Sequence, residues 1–137
     1  MGKTNLSGPI KGIRNGAPTV AQTYVVQGNS STTSFKWLTV AASSADPCLV
    51  ETQLAVLTTD GGTTPTISVG TSSGGTNLIN AQATTAGFYP ASNAVVKSFL
   101  TSDTDIYITQ GGTPNGTGVS CVRLDLTWVN TNSSTSQ

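Results

Sequence analysis

The sequence predicts an all-β domain: a single antiparallel β-sandwich, of jelly-roll or Greek-key type, with an extended N-terminal arm. Three observations predict it. Apolar and polar residues alternate with a period of two in several short runs, as half-buried strands require. Gly, Pro, Asn and Asp punctuate the spaces between those runs. The composition suits a small core under a hydroxyl-rich surface. Among 137 residues, Ser and Thr number 40 and Gly 15, and only 9% are charged, against a usual share of about 25%. The length fits one domain.

Residues 1–19 form the arm. Gly2, Gly8, Pro9, Gly12, Gly16 and Pro18 interrupt it, and no helical or strand period is visible, so the stretch reads as extended chain. Three of the six basic residues, Lys3, Lys11 and Arg14, fall there. With Lys36 they give +4 through Ala45; two bases against six acids leave −4 beyond it, so the net charge of zero hides a split.

Residues 20–129 form the sandwich. Val20–Gln27 is the first strand. In Phe35–Ala41, strict alternation puts Phe35 and Trp37 on one face and Lys36, Leu38 and Val40 on the other. Cys48–Thr58 aligns Cys48, Val50, Leu54 and Val56 on one face, with Glu51 and Gln53 opposite. Asp60-Gly61-Gly62 then marks a hairpin turn, because Asp and Gly both tolerate positive φ, and Thr66–Gly70 is the return strand. Leu78–Ala81 reads as a short helical turn on the sandwich edge. Ala94–Leu100 and Asp105–Gln110 are strands, the latter with Ile106 and Ile108 inward and Tyr107 outward or at an interface. Val119–Val129 closes the domain, with Val122, Leu124, Leu126 and Trp128 on one face. GGTPNGTG, residues 111–118, reads as a flexible hairpin loop, and residues 130–137 as a polar tail that frays.

The same residues exclude several kinds of chemistry. The chain has no His, which removes His-based triads and His-ligated metal sites. Cys48 and Cys121 lie too far apart for a zinc or redox motif. They read as two buried free thiols, with a disulfide formed after release from a reducing cell as the alternative. GGTPNGTG lacks the Lys of a phosphate loop. Asp103 and Asp105 supply too few oxygens for calcium, and nothing selects a pair among Glu51, Asp60 and Asp125 for glycoside hydrolysis. No enzyme activity, cofactor or metal is expected. Without a general basic excess, nucleic acid is not an expected partner. No apolar run reaches the length of a membrane span, and the opening residues lack the apolar stretch of a signal peptide.

Several motifs carry a resemblance. Asn5-Leu6-Ser7-Gly8-Pro9-Ile10 resembles the arm that opens some small head proteins of tailed bacteriophages. Ile67–Ser72 followed by Thr76–Ala81 is similar to their strand–Gly–Thr–short-helix unit. Asp103–Thr109, the Gly-rich loop and Cys121–Val129 look like their closing hairpin. Together these cover about a third of the chain. The family is the capsid decoration (cement) proteins of tailed double-stranded-DNA phages.

The resemblance implies a structural virion protein. It would be made in the host cytoplasm, sit on the outer capsid surface, and clamp neighbouring major capsid proteins as a homo-oligomer, with a trimer favoured. The capsid-binding arm would use Lys3, Leu6, Pro9, Ile10, Lys11, Ile13 and Arg14. The alternative is a carbohydrate-binding or adhesin-like sandwich of a phage fibre or spike. Tyr89, Tyr107, Pro114 and Asn115 are the candidates for inter-subunit or host-glycan contacts.

Overall fold

The computed structural model describes residues 19–89 and 97–129, so residues 1–18 of the arm, residues 94–96 of the expected strand Ala94–Leu100 and the polar tail lie outside the described residues, while Thr19, assigned to the arm, opens the first strand. Among the described residues nine strands follow one another: β1 (Thr19–Gln27), β2 (Thr33–Val40), β3 (Cys48–Thr58), β4 (Thr63–Gly70), β5 (Ile79–Ala83), β6 (Gly87–Tyr89), β7 (Lys97–Leu100), β8 (Thr104–Thr113) and β9 (Val119–Trp128). They form two antiparallel sheets packed as a β-sandwich. One sheet runs β1-β9-β3-β6, with β7 also paired to β3. The other runs β2-β8-β4-β5. The links β1–β2, β3–β4, β7–β8 and β8–β9 all pass from one sheet to the other.

The core follows from period-two alternation. In β3, Cys48, Val50, Leu54 and Val56 turn inward, while in β9 Val122, Leu124 and Leu126 do so. Ile106 and Ile108 of β8 and Ile67 and Val69 of β4 meet them from the opposite sheet. Ile108 is fully buried. An Ile108→Ala substitution is expected to cost about 2–5 kcal/mol, because the cavity it leaves can only partly collapse; urea denaturation is the check. Among the described residues every buried side-chain N and O has a hydrogen-bond partner. The Thr52 hydroxyl donates to the Leu78 carbonyl at 2.9 Å, and the Gln110 amide to the Asn29 carbonyl at 2.6 Å.

Four expectations need correction. Strict alternation fails in β2, where a bulge lies between Lys36 and Leu38. Trp37 is the extra residue, so Phe35, Leu38 and Val40 pair with Ile108, Ile106 and Thr104 on the inward face. Such a bulge resets the side-chain parity of everything after it. Residues 78–81 contain no helical turn. The Leu78 amide donates to the Val69 carbonyl at 2.9 Å, Ile79 pairs with Val69, and β5 follows. Burial of both Leu78 and Ile79 favours this edge pairing over a helical turn. β8 runs on to Thr113, past the expected end at Gln110. The disulfide alternative also falls: both cysteines are free. Cys48 faces inward beside Trp128, whereas Cys121 stands on the outer face beside Ala55 and is only half-buried. Burial, and to a lesser degree Asp46, pushes the Cys48 thiol above its ordinary range, which suits an inert core thiol.

Candidate functional site

Two regions of the body concentrate unusual side chains: one end of the sandwich, and the outer face of the five-stranded sheet.

The end is organised by Asp60. The Asp-Gly-Gly turn after β3 points this carboxylate into the molecule, where the residue is 6% exposed. One carboxylate oxygen, Oδ1, accepts the Gly62 amide at 2.8 Å and the Asn115 amide at 2.9 Å. The other, Oδ2, accepts the Gly118 amide at 3.2 Å. Neighbouring bonds tighten the same end. The Asp60 amide donates to the Thr84 carbonyl at 3.1 Å, and the Gly28 amide to the Gly118 carbonyl at 2.8 Å. The Gly61 amide donates to the Thr117 hydroxyl at 2.9 Å. Four connections thus meet around one carboxylate. Burial acts to raise its pKa, but the amides of Asn115, Gly62, Gly118 and Gly116 outweigh that and hold it below the usual Asp range. A cavity of about 10 Å³ lies beside it, lined in part by Val26, Pro65 and Gln110. That is room for one water at most.

GGTPNGTG is therefore pinned, not flexible. Pro114 is buried and the Asn115 side chain is exposed, its Oδ1 accepting the Thr117 amide and hydroxyl. Sequence reasoning placed Asp60 in a turn and missed this role. The available signal was an acid followed by two glycines, able to face a second Gly-rich loop.

The two outer faces are unlike. On the four-stranded sheet, Ser34 bonds Thr109 at 2.9 Å and Thr39 donates to Asp105 at 2.6 Å. Lys36 lies 3.8 Å from Asp105, and half-buried Tyr107 stands opposite Lys36. On the five-stranded sheet, large apolar residues are exposed: Phe88 at 61%, Phe99 at 56% and Val25 at 50%. Register links them across strands. Val25 pairs with Cys121, Cys121 with Ala55, and Ala55 with Phe88. Three outward positions further along β9, Thr19 pairs with Thr127, Thr127 with Leu49, and Leu49 with Phe99. Between these rows lies a polar strip where Arg123 Nε meets Asp125 Oδ1 at 3.0 Å.

The other aromatics serve packing. Tyr89 packs against the core, and its hydroxyl donates to the Thr85 carbonyl. Trp128 donates to the Ala41 carbonyl at 2.7 Å. Tyr24 closes the edge between β1 and β2, its ring 5.2 Å from that of Phe35 and 6.0 Å from that of Trp37. Lys3, Leu6, Pro9, Ile10, Lys11, Ile13 and Arg14 lie outside the described residues. Among the described residues no three His, Cys, Asp or Glu gather as metal ligands would, and no helix is long and apolar enough to cross a membrane. No protein-family profile, curated protein or solved structure matches the chain.

Proposed function

We propose that the chain is a structural virion protein that binds the outer surface of a phage capsid, as a homo-oligomer, and stabilises contacts between major capsid proteins. One observation carries the reading beyond the resemblance: Val25, Phe88 and Phe99 are exposed on one sheet face, in cross-strand rows with Cys121, Ala55 and Leu49, whereas polar pairs such as Ser34–Thr109 and Thr39–Asp105 lie on the opposite face. An apolar patch with a polar strip fits burial against protein. The pinned sandwich end supplies a stiff body, and rigidity lowers the entropic cost of docking. Attachment to the shell belongs to the arm, whose Lys3, Lys11 and Arg14 suit a negative partner surface. Many weak contacts around a shell add up through multivalency.

The test is co-sedimentation with expanded phage shells. The full chain is expected to pellet with the shells in fixed stoichiometry. A chain lacking residues 1–15 is expected to stay folded by circular dichroism and remain in the supernatant. Pelleting of the truncated chain at the full-length level would remove the arm from the reading. Failure of the full chain to pellet would remove the reading itself.

A further inference from the structure

We infer that the outer face of the five-stranded sheet is the interface of a two-fold homodimer, in which two copies stack this face against each other. The inference rests on the proposed protein-binding role of that face and names its partner: a second copy of this chain.

The pattern on the face is self-complementary in one register. Along β9 the outward residues run Cys121, Arg123, Asp125, Thr127. Each heads a row across the sheet, fixed by strand pairing. Consider a two-fold axis lying in the interface, perpendicular to the strands, between the Arg123 and Asp125 rows. It keeps each strand over its own counterpart and exchanges the rows. Phe88 of one copy then lies over Phe99 of the other, because β6 and β7 occupy the same edge of β3. Small Ala55 lies over Leu49, Cys121 over Thr127, and Arg123 over Asp125. Glu51, beside Asp125 in register, falls over Gln53, beside Arg123. The apolar pairs are thus Phe88 with Phe99 and Ala55 with Leu49, Val25 falls over Thr19, and one pair of opposite charges, Arg123 with Asp125, meets.

Other registers pair the charges less well. An axis between the Cys121 and Arg123 rows sets Arg123 on Cys121 and Asp125 on Val119, and one between the Asp125 and Thr127 rows sets Asp125 on Thr127. An axis through the Arg123 row sets Arg123 on Arg123 and brings the Cys121 row onto Asp125. An axis through the Asp125 row sets Asp125 on Asp125. Axes parallel to the strands keep each row on itself, so like charges face each other: Arg123 meets Arg123 about β9, and Asp125 meets Glu51 between β9 and β3. Like-charge juxtaposition is the usual device against wrong pairings. An isologous interface requires that residue i meet j while j meets i, and the Phe88–Phe99 and Arg123–Asp125 exchanges meet that condition. Stacked sheets about 10 Å apart and turned by about 30° bring such rows into contact.

Arg123 and Asp125 already pair within one chain, so their inter-copy role needs a test that the internal pair cannot mimic. Sedimentation equilibrium on the purified full chain is expected to give twice the chain mass of 13.9 kDa. Phe88→Asp and Phe99→Asp, both at exposed positions, are expected to give folded monomers. Arg123→Asp puts two acids in the strip and Asp125→Arg two bases, so each variant alone is expected to be monomeric. Mixed in equal amounts, they are expected to form a heterodimer, which an effect confined within one chain cannot produce.

Four results would each overturn the inference: a wild-type monomer, a trimer, a dimer indifferent to both Phe substitutions, or no heterodimer on mixing. A wild-type monomer that dimerises once residues 1–18 are removed would assign the face to the chain's own N-terminal segment instead. None of these results changes the outcome of shell co-sedimentation, so the dimer and shell binding fail separately; a wild-type monomer would also remove the homo-oligomer from the capsid reading.

Discussion

Replacing Asp60 with Ala is expected to lower the unfolding free energy by about 3–5 kcal/mol, with a melting midpoint lower by roughly 10–20 °C. The carboxylate accepts amides from Gly62, Asn115 and Gly118. Ala leaves these donors without an acceptor at a buried site, where an unmade bond costs more than a made bond contributes. Asp60→Asn keeps one acceptor oxygen but turns its amide donors toward other donors, so a loss of about 2–4 kcal/mol is expected. The direction of the pKa shift sets the pH dependence. The folded-state pKa lies below the unfolded value, so the stabilisation is complete above the unfolded Asp pKa of about 3.9 and fades as pH falls through the lower folded value. The stability gap between wild type and Asp60→Asn should therefore be constant from pH 6 to pH 8 and narrow below about pH 4. Urea denaturation at each pH measures it, and a gap unchanged at pH 2 would assign the loss to packing.

Gly112→Ala is expected to cost roughly 2–5 kcal/mol, from backbone strain and overlap together. Gly112 has φ of 73°, and a Cβ there would run into the Thr64 carbonyl. Neither side has slack. Thr64 itself sits at φ 49°, inside the irregular stretch where β4 departs from β8 between Thr63 and Thr66. Gly74 is the natural control, because its φ is 75° and nothing lies within 4 Å of a Cβ built on it. Gly74→Ala is expected to cost only about 1–2 kcal/mol, the left-handed conformation alone. The difference in denaturation midpoint between the two variants isolates the overlap.

These positions also mark where sequence reasoning stops. Alternation in β3 and β9 was legible because one buried face imposes period two on every residue. The inward sets Cys48–Val50–Leu54–Val56 and Val122–Leu124–Leu126 stand as read. Alternation misleads in β2, because a bulge at Trp37 shifts parity and no residue there announces it. Leu78 and Ile79 are adjacent apolar residues, a pattern shared by helical turns and irregular edge strands, and only the pairing partner Val69 separates the two. Asp60 was legible as a turn residue and illegible as an anchor, since its acceptors serve amides 55 and 58 positions away. The apolar rows were hidden for a related reason. Val25, Ala55, Phe88 and Cys121 come from four strands, and only the register places them side by side.

The position of β9 has a consequence for how the chain reaches its structure. β9 follows every other described strand in sequence yet lies between β1 and β3. The larger sheet is therefore incomplete at its centre until β9 is synthesised, and β1 has no partner in its own sheet before then. Closing the β1–β9 ladder joins positions as distant as Thr19 and Thr127, so loop-closure entropy must be overcome before pairing repays it. Folding of this sheet thus waits for the last of the described strands. Until then the β1 and β3 segments stand as open edges of the kind that pair with other chains when left uncovered.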